Sequence, residues 1–156
     1  RNSLTLPPES RQTVPGVAAL FNDWIQRNPN PQASPVFYVS ATPRQLTDST
    51  RRFLQHNGFP RGILQLKEVF SSTADPLTHQ QAYKVQRITA IFQAFPGVRF
   101  TLVGDDGERD PESYAELQNK FPDRIEEIWI RRIHPDLQRA QFAGQKPLVP
   151  PVTNRP

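Results

Sequence analysis

The chain has 156 residues, enough for one domain with a real core, and carries a net charge of +4 with 36% hydrophobic and 22% charged residues. The absence of cysteine excludes disulfides and thiolate metal sites. No apolar run approaches the length of a membrane span, no signal peptide is recognisable, and the basic residues form neither a long run nor a nucleic-acid-binding motif, so nucleic acid is not an expected partner. The mild positive charge suits an anionic substrate or a peripheral membrane surface, and a cytoplasmic location is expected. The first residue is Arg1, and the chain is expected to be a piece of a longer product.

In chain order, residues 1–14 read as a lead-in loop. From Pro15, the residues Val17, Leu20, Phe21, Trp24 and Ile25 recur at helical spacing and end at Asn28-Pro29-Asn30-Pro31. Val36–Val39 predicts a strand stopping at Ser40-Ala41-Thr42-Pro43. A helix follows from about Arg44 to Asn57, with Leu46, Thr50, Phe53 and Leu54 inward and Gly58 as its C-terminal cap. Ile63–Leu66 is a short strand, and Lys67–Gln81 reads as a polar, mobile connection. A third helix is expected over Ala82–Phe95, burying Val85, Ile88, Ile91, Phe92 and Phe95, with Lys84 in its first turn. After Pro96-Gly97 comes a β-branched and aromatic strand, Val98–Val103, then a helix over Pro111–Lys120 burying Tyr114 and Leu117, then a strand over Ile125–Ile130. The domain is expected to span 15–133, with one more helical turn or two after His134-Pro135. Residues 134–156 read as a Pro-rich C-terminal tail whose last part, from Lys146, packs on nothing. The alternation of helix and strand predicts an α/β, Rossmann-like fold: a parallel sheet covered by helices on both faces.

The acidic stretch Gly104-Asp105-Asp106-Gly107-Glu108-Arg109-Asp110 falls at the carboxyl end of the Val98–Val103 strand, with Pro111 opening the next helix. Open α/β sheets bind ligands at that edge. Asp105, Asp106 and Asp110 repel one another there, and a hard divalent cation such as Mg²⁺ would offset this; the other reading is an acidic solvated turn that caps the helix. Ser40 ends the Val36–Val39 strand, and Lys84 precedes the acidic loop. A hydroxyl, an ammonium and paired carboxylates facing one crevice suit phosphoryl chemistry: the hydroxyl holds phosphate oxygens, the lysine neutralises their charge, and the acids hold Mg²⁺.

These residues carry a resemblance. Phe37-Tyr38-Val39-Ser40-Ala41-Thr42-Pro43, then Asn57-Gly58-Phe59-Pro60-Arg61-Gly62, Lys84 with Ile88 and Phe95-Pro96, and above all Leu102-Val103-Gly104-Asp105-Asp106-Gly107-Glu108-Arg109-Asp110-Pro111-Glu112-Ser113-Tyr114 resemble the catalytic domain of the actin-patch-associated phosphatidate phosphatases, members of the haloacid-dehalogenase-like superfamily. The resemblance covers about residues 1–133. It implies a Mg²⁺-dependent phosphatase of the aspartyl-phosphate type, acting on a phosphorylated lipid such as phosphatidate or another phosphomonoester. By resemblance Ser40 is the phosphate-binding residue, Lys84 the third-motif lysine, Asp105 a metal ligand and Asp110 the acid that supports it at the metal site. Asp106 stands where relatives usually carry serine; it is given no role, and its charge either alters metal affinity or faces water.

One departure outweighs the matches. The family's Asp-x-Asp-x-Thr motif, whose first Asp is the nucleophile, occurs nowhere in these residues. The chain is therefore expected to lack the first, nucleophile-bearing strand, which a missing N-terminal segment of the same protein would supply. That strand would lie between the Val36–Val39 and Val98–Val103 strands, so these two should not pair directly. Alone, the chain should be inactive. The alternative function is a non-catalytic module binding a lipid headgroup or a protein on the same fold.

Overall fold

Among the described residues every strand pair in the computed structural model is parallel, as the alternating sequence predicts. Residues 16–30, 35–43, 47–67, 76–107, 109–133 and 142–148 are described. The lead-in loop, Leu46, and the helical turns expected after His134-Pro135 lie outside them. The chain forms two compact units, residues 1–69 with 150–156 and residues 70–149, where one domain over 15–133 was expected.

The first unit holds α1 (Val17–Gln26), β1 (Phe37–Pro43), α2 (Thr47–His56) and β2 (Ile63–Lys67). The face expected of α1 is the one turned inward: Val17 is buried, and Leu20, Phe21, Trp24 and Ile25 are half-buried. Phe21 stacks on Trp24 at 5.6 Å and meets the edge of Phe59 at 5.7 Å. Gly58 closes α2 in the left-handed region at φ 75°, with the Phe59 N–H donating to Leu54 O at 2.9 Å. β1 pairs with β2 from Phe37↔Ile63 to Ser40↔Leu66, then slips to Pro43↔Lys67. Ser40 thus lies inside a strand that runs on through an irregularity to Pro43, rather than ending it, because the slip lets the extended backbone continue. Close packing fixes the β2 entry: a Cβ on Gly62 would lie 2.5 Å from Val36 O. The Tyr38 hydroxyl donates to Pro60 O at 2.5 Å, and burial pushes it up to about 12.

The second unit is a three-stranded parallel sheet, β3 (Phe100–Asp105), β4 (Ile125–Arg131) and β5 (Gln145–Pro147), in that order, flanked by α3 (Pro76–Ala94) and α4 (Asp110–Lys120). This mixed α/β arrangement is compatible with a Rossmann-like haloacid-dehalogenase fold. The strands expected at Val36–Val39 and Val98–Val103 belong to different sheets. Val85, Ile88, Ile91 and Phe92 of α3 pack into a core with Leu102, Tyr114, Leu117, Ile125 and Ile128, all buried as their spacing requires.

Two expectations fail here. The polar connection expected over Lys67–Gln81 is shorter, since Lys67 belongs to β2 and α3 begins at Pro76. Pro76 suits a first helical turn, but Leu77-Thr78-His79-Gln80-Gln81 carries no apolar stripe to announce the helix. The expected tail also contributes to the core: Gln145–Pro147 pairs with Ile128–Ile130, and Leu148 is buried with its N–H donating to Ile130 O at 2.9 Å. A three-residue strand containing proline has too little pattern to read, yet at a sheet edge proline costs only an outward-facing donor.

Candidate active site at the carboxyl edge of the sheet

β3 runs two residues further than its apolar run suggests, and Asp105 is its last residue. The following loop is held by side chains rather than by solvent. Asp105 Oδ1 accepts from the Gly107 N–H at 3.0 Å, closing a tight turn within the loop. Asp106 is buried at 6% exposure, its N–H donates to Arg131 O at 3.0 Å, and its Oδ1 accepts from the Ile133 N–H at 2.6 Å. Of the two readings of Asp106, the one in which it faces water does not hold: its burial is offset by ties to the end of β4.

Asp110 opens α4, where a carboxylate is favoured by the helix dipole. One oxygen, Oδ2, accepts from the Asp105 N–H at 3.1 Å, and the other pairs with Lys84 Nζ. Side-chain exposures of 17% for Lys84 and 9% for Asp110 make this a buried pair, where loss of either partner strands the other. Gly104 makes room for the arrangement. A Cβ there would lie 2.7 Å from Asp110 Cβ and 2.8 Å from its Cγ. The Tyr114 hydroxyl donates to Val103 O at 2.8 Å and ties α4 to β3 one turn further on; burial, then the charges of Asp110 and Asp105, hold that hydroxyl well above its usual range.

Lys84 does not lie in a first turn as expected. Because α3 begins at Pro76, it sits more than two turns inside the helix, where no N-terminal dipole opposes its charge. The structure brings Lys84, Asp105 and Asp110 together. Ser40 belongs to the first unit and its side chain is outside the described ones. Arg131 was given no role by the sequence reasoning: it is the register partner of Asp105 on β4, a relation that strand alignment reveals.

Burial raises the Asp105 carboxyl above the ordinary carboxylate value, and the Asp110 charge adds to the rise; the Gly107 hydrogen bond, Arg131 and Lys84 oppose it. The family described as phosphatidate phosphatase APP1, catalytic domain, matches residues 1–132. The chain belongs to this family. A phosphatidate phosphatase APP1 from Saccharomyces cerevisiae is 39% identical over 98 residues, covering 61% of this chain and 16% of the relative. An uncharacterized protein of Schizosaccharomyces pombe is 29% identical over 132 residues, covering 84% of this chain and 21% of the relative. The chain therefore spans no more than 16% and 21% of these two relatives. No solved structure gives a significant match.

Within this phosphatidate phosphatase family member, the fit to a divalent cation rests on Asp105. No group of three or more His, Asp or Glu able to hold a metal occurs among the described residues. Mg²⁺, however, keeps several waters and takes one or two carboxylates together with substrate phosphate. Asp105 Oδ2 has no hydrogen bond among the described residues, and a half-buried carboxylate with a raised proton affinity would gain from a cation beside it. Both Asp110 oxygens are engaged, by Lys84 and by the Asp105 N–H. No helix among the described residues is long and apolar enough to cross a membrane.

Proposed function

We propose that the chain carries the cation- and phosphate-handling part of a Mg²⁺-dependent phosphatase of the aspartyl-phosphate type. Its substrate is a phosphomonoester, with phosphatidate the candidate suggested by the name of the Saccharomyces relative. The nucleophilic carboxylate comes from an Asp-x-Asp-x-Thr motif outside these 156 residues. The observation that carries this reading is the buried Lys84–Asp110 pair set against Asp105 at the carboxyl end of β3. Asp105 would hold Mg²⁺, which when bound supplies positive charge to the phosphoryl oxygens. Asp110 orients Lys84 through its carboxylate and fixes the Asp105 backbone, so the ammonium is preorganised before substrate arrives. Lys84 then offsets charge on the transferring group, and Ser40 is proposed to donate to a phosphate oxygen.

The test is phosphate release from phosphatidate and from a generic phosphomonoester, with and without Mg²⁺, by the longer product that includes the nucleophile motif. Asp105→Asn should abolish Mg²⁺-dependent turnover and Lys84→Ala should reduce it strongly. Ser40→Ala should cost roughly ten- to a hundredfold, since backbone amides still hold the phosphate. The 156-residue chain alone should release none. Hydrolysis by Asp105→Asn at the parent rate would sink the reading and leave the acidic loop as a helix cap.

A further inference from the structure

Arg131 is the last residue of β4, as Asp105 is the last of β3, and the two are register partners. Register partners in a pleated sheet project to the same face, so the guanidinium and the Asp105 carboxylate share the face and the edge of the sheet. The backbone on either side is fixed: Arg131 O accepts from the Asp106 N–H at 3.0 Å, and the Ile133 N–H two residues on donates to Asp106 Oδ1 at 2.6 Å. The side chain is half-buried and makes no hydrogen bond or close ion pair among the described residues.

Neighbouring cations in this unit are differently placed. Lys84 is paired with Asp110, Arg109 lies 3.6 Å from Glu112, Arg99 pairs with Glu126 at 2.8 Å, and Arg124 donates to main-chain carbonyls. At the carboxyl edge Asp110 thus offsets part of the Lys84 charge. A phosphate dianion entering there meets Asp105, and Arg131 is the cation in register to offset the repulsion. A guanidinium also presents a planar fork of donors that matches two phosphate oxygens at once.

We propose that Arg131 is a substrate-binding residue, holding two oxygens of a dianionic phosphate group at this edge. The proposal deepens, and rests on, the reading of this edge as a phosphatase site.

The experiment is a calorimetric titration of the full chain with inorganic phosphate at pH 8, in the presence of a chelator, comparing the parent with Arg131→Gln, Arg131→Lys and Arg99→Gln. The parent should bind saturably. Arg131→Gln should weaken binding at least tenfold, Arg131→Lys should lose less because it keeps the charge without the fork, and Arg99→Gln should bind as the parent does. A second titration uses a soluble short-chain phosphatidate. Equal weakening for both ligands supports a contact to the phosphate group itself. Weakening for phosphatidate alone assigns Arg131 to the rest of the headgroup and overturns the proposal. It is equally overturned if the parent shows no saturable binding, or if Arg131→Gln stays within twofold of it. Should Arg131→Gln fail to fold, Arg131→Lys decides, with a loss of threefold or more required. These measurements need no metal, nucleophile or turnover. Parent-rate hydrolysis by Asp105→Asn would thus sink the phosphatase reading while leaving the phosphate contact measurable, and an unaffected titration would sink this proposal alone.

Discussion

The two ends of the β3–β4 pair are built to opposite purposes. At the amino end the two arginines are both engaged. The Arg124 guanidinium donates through Nε to Val98 O at 3.0 Å and through Nη2 to Phe95 O at 2.5 Å, closing the C-terminal turn of α3. It also lies 5.3 Å from the Phe92 ring centroid, within a cluster where Phe92 stacks on Phe100 at 5.0 Å and meets Phe121 edge-on at 5.7 Å. Arg99 donates to Ile125 O at 3.3 Å and pairs with Glu126. At the carboxyl end, among the described residues, Asp105 Oδ2 and the Arg131 guanidinium make no hydrogen bond, although the Arg131 charge acts on the Asp105 carboxyl, which burial raises. The same two strands thus hold their stability at one end and leave hydrogen-bonding capacity at the other, at the edge where open α/β sheets bind ligands.

The sharpest way to break this contrast is at Gly104. Gly104→Ala places a methyl against the Asp110 side chain, so the buried ion pair with Lys84 must separate. A loss of about 3–5 kcal/mol in urea unfolding is expected, because one buried charge is left uncompensated. An unchanged unfolding midpoint would mean the pair adapts, and that the carboxyl end is less rigid than its geometry implies.

Arg124→Ala tests the amino end. It removes two hydrogen bonds to main-chain carbonyls and the contact with Phe92, at a cost of about 2–3 kcal/mol. Phosphate affinity of the folded fraction should not change. If it falls in step with stability, the two ends are coupled and the contrast fails.

The smallest effect is expected at Asp105, and it has the opposite sign. The fold raises the Asp105 carboxyl, so the unfolded chain ionises at lower pH than the folded one. Below the ordinary carboxylate range both states are protonated and there is no penalty. As pH rises through the folded value the penalty develops fully. Metal-free Asp105→Asn should therefore melt slightly higher than the parent at pH 7, with the gap closing at acid pH. Adding Mg²⁺ should raise the melting temperature of the parent and not that of Asp105→Asn. A variant that melts lower than the parent at pH 7 would show that Asp105 contributes stability, like the charges at the other end.

Much of the carboxyl end was legible in the sequence. Gly104-Asp105 after an apolar run, and Pro111 opening a helix, mark a strand-loop-helix passage by local chemistry alone. The inward faces of α3 and α4 followed from helical spacing. What escaped depends on tertiary register or on segments without pattern. Arg131 reads as one more basic residue until the alignment with Asp105 is known, and Asp106 reads as solvated until Ile133 is found above it. The first turns of α3 carry glutamines and a histidine with no stripe, so the helix start was placed too late and Lys84 with it. β5 escaped because a three-residue strand holding a proline carries no readable pattern, although it pairs with β4, its Gln145 side chain donates to Pro111 O at 2.8 Å, and Leu148 is buried.

That Gln145 contact orders events during synthesis. A ribosome delivers β3, α4 and β4 before β5, so the outer backbone edge of β4 at Ile128–Ile130 stays open until residue 148 has emerged. The first turn of α4, which carries Asp110, acquires its tie to Gln145 only then. A nascent chain interrupted short of this point presents an adhesive strand edge to its neighbours, and the loop that carries Asp105 and Asp110 sets only after residue 145 has been delivered.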